Sequence, residues 1–258
     1  MANANLAKKE ANNVVVFDAS MFEADANDGL QNMSSQDDLA LPFLKLLTTT
    51  SPELATMDNA KPGFILNTVT NELFDGKEGL EVIPCHYERK YVEWSPRGSG
   101  NSAPVAIHPA NSDIMSKTRR VAGDSKDYLD NGNYIENTAQ HYILYKNKEG
   151  LFTMALVVMK STQLKKSRKW NSMMMSTKMM GKNGPFTPPT YSQIYRLNSV
   201  GESNDKGRWF GWEIERVGPV EDMSVYQQAK AFALSINKGE VKTQHMGEEN
   251  AAAETDAF

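Results

Sequence analysis

Apolar and polar positions alternate with the period of a β-strand along much of the chain, and two stretches read instead as helix. LEVIPCHYERKYVEW at 80–94 predicts one long strand, rich in β-branched and aromatic residues. QHYILYK at 140–146 and LFTMALVVMK at 151–160 predict a hairpin joined through Asn147 to Gly150. TYSQIYRLNSV and RWFGWEIERV, around 190–200 and 208–217, predict a second hairpin over the turn SNDKG. FILNTVT at 64–70 reads as a strand, and NELFDGKEG at 71–79 as a hairpin connection through Asp75 and Gly76. LALPFLKLLTT at 39–49 is the first apolar segment able to enter a core. The segment 161–180, STQLKKSRKWNSMMMSTKMM, has no Gly or Pro and many good helix formers. VEDMSVYQQAKAFALSIN at 220–237 is amphipathic, with Asp222 placed to cap its start and Gly239 just past its end.

Short strands separated by turn signals, interrupted once by a helix, predict a mainly β fold with added helices. The expected form is an OB-like five-stranded barrel with an inserted helix at 161–180 and a C-terminal helix. Three regions follow: a flexible acidic arm at 1–38, in which VVVF at 14–17 could dock as an edge strand; the barrel at 39–239; and a disordered acidic tail at 240–258. At 258 residues the chain is long enough for a sizeable core. No run approaches the roughly 18 apolar residues of a membrane span. MANANLAKKEANN has no apolar stretch after its lysines, so no secretion signal is expected. The single cysteine, Cys85, excludes a disulfide framework and fits a reducing compartment.

Charge changes the picture. The net charge is −4, but residues 1–38 carry two lysines against seven acids, and residues 244–258 carry four acids and no Lys or Arg. The middle therefore holds 26 bases against 21 acids, a basic body between two acidic arms. That distribution points to a polyanionic partner more than the overall charge does.

Enzyme signatures are missing. There is no GxxxxGK[ST] phosphate loop, no GxGxxG after a strand and no HExxH. Cys85 and His86 are neighbours on a strand and point to opposite faces, so they cannot share one metal without distortion. Cys85 is expected to share a face with Ile83 and Tyr87, as core. The expectation is a binding protein, not an enzyme, with no metal and no cofactor.

Four stretches interleave aromatic and cationic side chains. HYERKYVEW supplies Arg89, Lys90 and Trp94; KKSRKW supplies Lys165, Lys166, Arg168, Lys169 and Trp170. YSQIYRL places Arg196 beside Tyr195, and KGRWFGW supplies Arg208 and Trp209. Residues 160–182, counting Lys160, Lys178 and Lys182, hold seven cations and no acid. Phe210, Trp212 and Ile214 share one strand face, expected to be buried, and Trp209 lies on the other beside Gly211. Single-stranded nucleic acid demands this combination, because phosphates require positive charge and unpaired bases offer π-faces for stacking. The expected assignment is phosphate contact for the lysines and arginines and base stacking for Trp94, Trp170 and Trp209. The Met-rich half of 161–180 reads as packing or an adaptable contact surface.

The acidic tail, ending ETDAF, could occupy a basic groove as a weak mimic of the polyanion. Phe258 and its carboxylate would suit capture by a partner. With this tail, the SNDKGRWFGWEIE hairpin and the LEVIPCHYERKYVEW strand, the chain resembles bacteriophage single-stranded DNA-binding proteins over about 64–217 and the last ten residues. The resemblance implies an OB-fold core and sequence-independent binding of single-stranded DNA in replication, recombination or repair, in the cytoplasm of the infected bacterial host. It also implies tail contacts, through Asp256 and Phe258, with a phage DNA polymerase, primase-helicase or nuclease, and it leaves room for a homo-oligomer. The long helix at 161–180 departs from the small members of that group. The rival readings are a protein-interaction module, such as a transcription cofactor or virion component, and a nuclease with an unrecognised carboxylate site.

Overall fold

In a computed structural model, the structure describes residues 20–23, 25–30, 39–96, 98–99, 103–205 and 207–241. VVVF at 14–17 and the acidic tail with Asp256 and Phe258 lie outside the described residues. The chain divides into a unit of residues 1–39 and a unit of residues 40–258. Within the first, α1 (Ser20–Glu23) is a single helical turn.

The second unit begins its core where the sequence first turns apolar. β1 (Leu44–Leu46) is followed by the one-turn α2 (Glu53–Thr56), β2 (Ile65–Asn67) and β3 (Leu73–Phe74), and the three strands form an antiparallel sheet in chain order. The turn between β2 and β3 is built by Asn67. Its Oδ1 accepts from the backbone N–H of Val69 (2.9 Å) and Thr70 (3.1 Å), and its Nδ2 donates to the Tyr145 hydroxyl at 2.7 Å. The hairpin therefore closes before Glu72, and Asp75–Gly76, expected as its turn, instead leads into the next strand. Gly76 is there for space. A Cβ on it would lie 2.0 Å from the Gly63 carbonyl oxygen, and its own carbonyl accepts from Ser199 N–H at 2.7 Å.

The principal sheet has eight strands rather than five. In chain order they are β4 (Leu80–Trp94), β5 (Ala106–Pro109), β6 (Arg119–Arg120), β7 (Asp127–Tyr128), β8 (Tyr134–Lys146) and β9 (Phe152–Lys160). Then come α3 (Leu164–Ser176) and the hairpin β10 (Met179–Gly181) and β11 (Gly184–Phe186). β12 (Gln193–Asn204), β13 (Gly207–Pro219) and α4 (Met223–Asn237) complete the chain. The order is β13-β12-β4-β8-β7-β6, with β9 added to β8 and β5 to β4, and every pairing is antiparallel. The β4–β8 ladder runs from Val82↔Tyr145 to Trp94↔Tyr134. One end carries β12 and β9; the other carries β5 and β7. The sheet curls as a half-barrel, so the fold is mainly β with added helices.

Each face of the sheet buries a core. Leu80, Val82, Ile143, Val157, Leu197 and Trp212 pack in one cluster with Leu44 and Ile65 of the small sheet and with Trp170 and Met174 of α3. Ile83, Cys85, Tyr142, Leu144 and Leu156 pack on the other face with Ala229, Phe232, Ala233 and Ile236 of α4. The Asp222 side chain caps α4, accepting from Ser224 N–H at 2.7 Å, and Gly239 ends it at φ 73°. A shift in the β4–β8 register between Pro84 and His86 changes which side chains face which core. Cys85 stays with Ile83, but Tyr87 crosses to the α3 side and meets His141 at 5.0 Å, so the expectation that all three share a face is corrected. Burial pushes the Cys85 thiol up to about 12.

Candidate nucleic-acid interface

The rotation of α3 decides which of its side chains meet solvent. Ser167, Trp170 and Met174 recur at helical spacing and are buried. Trp170, fully enclosed, stacks on His141 with ring centroids 4.5 Å apart and planes 19° from parallel, and meets Tyr195 edge-on at 5.8 Å. His141 Nε2 is hydrogen-bonded to Ser167 Oγ at 2.8 Å. At the helix start, Gln163 Oε1 accepts from the backbone N–H of Trp212 at 2.9 Å, which ties α3 to the edge strand β13. With that side fixed, Lys165, Arg168, Lys169 and Ser172 point outward, three or four residues apart on one exposed face. Burial lowers the His141 pKa to about 3, so the ring is neutral. The Ser167–His141 contact has the atoms of a nucleophile and a base, but both residues are sealed beneath the helix.

The expected site residues separate into three groups. Lys165, Arg168 and Lys169 are brought together. Arg89 and Arg208 are exposed, on β4 and at the tip of the β12–β13 hairpin. The others are committed to carboxylates, all but that of Lys90 distant in sequence. Lys160 pairs with Glu136 at 3.4 Å, Lys90 with Glu88 at 2.9 Å, and Arg196 with Glu81 at 3.0 Å. Lys166 pairs with Glu202 at 2.7 Å, and Trp209 Nε1 donates to the same carboxylate at 2.9 Å. Burial pushes the Glu202 pKa up, but the hydrogen bonds from Lys166 and Trp209 and the charges of Lys166 and Lys165 outweigh it and hold the carboxyl below its usual range. Gly211 makes room for this group, since a Cβ there would come 2.6 Å from Glu202 Oε2.

Two tryptophans expected to stack on bases cannot do so. Trp94 is 3% exposed, packed with Val92 and Tyr134, and Trp170 is 0% exposed. The reason is tertiary: the far end of β8 covers the first, and the rotation of α3 turns the second inward. Trp209 is half-buried.

The sequence reading passed over the ribbon that follows α3. β10 and β11 pair Met179↔Phe186, Met180↔Pro185 and Gly181↔Gly184, with Lys178 before it and Lys182 in its turn, both exposed. A signal was present: Gly181–Lys182–Asn183–Gly184 has the composition of a tight turn. Between Glu149 and Glu202 the chain carries eight cations and no Asp or Glu.

Elsewhere, a cavity of about 330 Å³ lies between the 115–127 segment and the start of α3, lined by Arg120, Asp127, Glu136 and Ser161 among others. Its charges already have partners: Arg120 is bidentate on Asp127 (2.8 and 2.9 Å), Glu136 pairs with Lys160, and Lys126 lies over the Tyr134 ring. Among the described residues no three His, Cys, Asp or Glu side chains are grouped to hold a metal ion, and no helix is long and apolar enough to cross a membrane.

A protein-family model described as Pam3 phage gp34-like protein matches residues 8–242, nearly the whole chain. The chain belongs to the Pam3 phage gp34-like family. It is thus a phage protein, as the sequence resemblance implied at that coarser level. The match to the gp34-like family takes in both cores, α3 and the ribbon, and stops at the start of the acidic tail. No curated protein matches the chain, and no solved structure does.

Proposed function

We propose that this gp34-like protein binds single-stranded DNA, independently of sequence, through the outer face of α3 and the ribbon that follows it. The observation that carries the reading is the acid-free stretch between Glu149 and Glu202, in which Lys165, Arg168, Lys169, Lys178 and Lys182 are all exposed. A solvated helix face in a chain of net charge −4 would ordinarily mix signs; five exposed cations on consecutive elements favour a phosphate backbone. The role is that of a coat for single strands in phage replication or recombination, working in the host cytoplasm. The OB-like architecture enters here as analogy, supported by a curled antiparallel sheet with a helix inserted between β9 and β12. The reading is of a binding protein rather than an enzyme, and it keeps the recruitment of replication proteins through Asp256 and Phe258. The alternative, a protein-interaction module, draws its support from the exposed Met175 and Met180.

Mobility shift with a dT oligonucleotide at two salt concentrations tests the reading. The triple variant K165E/R168E/K169E should bind more than about tenfold more weakly, and its log K against log salt should flatten by about 2, since each lost phosphate contact removes roughly 0.7 from the slope. Unchanged affinity and slope in that variant would sink the proposal.

A further inference from the structure

The β10–β11 ribbon displays side chains that the fold does not use. None of its six residues is buried: Met180 is 79% exposed, Phe186 45% and Met179 44%. An uncovered two-stranded hairpin is marginal in water, and one that shows an aromatic ring and two thioethers is suited to contact. Phe186 lies opposite Met179, and its ring leans on the neighbouring strand at Gly181, where an added Cβ would come 3.2 Å from the ring. The glycine thus gives the ring a backing while leaving it about half open. Cations stand at both ends of the ribbon. Lys178 Nζ donates to the Thr187 hydroxyl at its base, and Lys182 occupies the turn.

We propose that Phe186 is the base-stacking residue of this surface, receiving an unpaired nucleobase while Lys178 and Lys182 take the flanking phosphates. The inference rests on the reading of α3 as a phosphate-binding face. Charge decides between the candidate occupants. A second copy of the ribbon would bring four lysines of like sign together, whereas a single strand offers a π-face between two negative charges, matching an aromatic ring between two positive ones. The expectation that tryptophans supply the stacking surface is thereby moved to a phenylalanine that lies between KKSRKW and YSQIYRL and belongs to neither of those mixed stretches.

Surface plasmon resonance with the full chain separates the two ideas. One immobilised probe is a dT oligonucleotide and the other an abasic oligonucleotide of equal length and phosphate number. Phe186→Ala should lower affinity for dT by about tenfold and leave affinity for the abasic strand unchanged, while Phe186→Tyr retains the preference for dT. R168E/K169E should weaken both probes alike. A dT-to-abasic ratio that Phe186→Ala leaves untouched overturns the stacking assignment while the charge variant still supports the phosphate face. No response to R168E/K169E defeats the phosphate reading and the inference with it. A lower sedimentation coefficient for Phe186→Ala with an unaltered ratio would assign the ribbon to a second copy of the chain, and overturns the proposal.

Discussion

His141 sits where water does not reach, its ring stacked on Trp170 and its Nε2 2.8 Å from Ser167 Oγ. Burial alone takes its pKa from 6.5 to about 3. The unfolded chain accepts this proton near 6.5 and the folded chain does not until about 3. The stability tied to a neutral His141 is thus complete above 6.5 and is lost as pH falls from 6.5 toward 3, at up to about 1.4 kcal/mol per unit. Glu88, Glu93 and Glu202 also weaken the fold in acid, because each is held below 4.5, but their contribution is intact until pH falls through that value. The interval from 6.5 to 4.5 isolates the histidine. His141→Asn should be less stable at neutral pH and show a flatter urea midpoint across that interval than the unmodified chain; parallel profiles would contradict this. The same neighbourhood shows why the site was only partly legible. The sequence marked Trp170 and its flanking lysines as a unit, and nothing local says that Ser167 meets a histidine 26 residues earlier and turns the indole inward. Lys166, Lys160 and Arg196 were legible as cations but not as halves of ion pairs, because their carboxylates come from strands distant in sequence.

Helices and hairpins were more legible than the sheet they build. The alternation at 140–160 and 190–217 became β8–β9 and β12–β13, and the amphipathic stretch at 220–237 became α4 with Asp222 capping it as read. The inserted helix is shorter than expected. Ser161 takes φ 47°, a 3-10 turn covers Ser161–Gln163, and the extended Thr177 closes α3. The strands β5, β6 and β7 were unreadable because two to four residues are too few to display a period, and their pairing depends on the far ends of β4 and β8. α4 gives the clearest energetic contrast. Phe232 is buried against Tyr142, their rings 6.5 Å apart, so Phe232→Ala should cost about 3–5 kcal/mol in chemical denaturation. Leu234, on the opposite side and 49% exposed, should tolerate alanine within about 0.5 kcal/mol. Similar losses at both positions would mean that α4 is not seated as described.

At the scale of the whole molecule the issue is how a chain of net charge −4 would hold a polyanion. The acids concentrate toward both termini and the cations toward one stretch of the middle, so local field rather than total charge governs the encounter. Residues 244–258 hold four acids and no Lys or Arg, and deleting them brings the formal charge to zero. If that segment competes for the α3 face, the truncated protein should bind a dT oligonucleotide several-fold more tightly at low ionic strength. The gain should vanish near 1 M salt, where the screening length is about 3 Å. Weaker binding after truncation would count against competition.

The burial of the indoles carries a practical consequence. Trp94, Trp170 and Trp212 are enclosed, and the indole N–H of Trp209 is held by Glu202. The intrinsic emission of this protein is accordingly a gauge of unfolding, and a strand laid along α3 and the ribbon would leave that light almost undimmed. A flat optical titration here speaks of where the chromophores are housed, and says nothing of whether anything has bound.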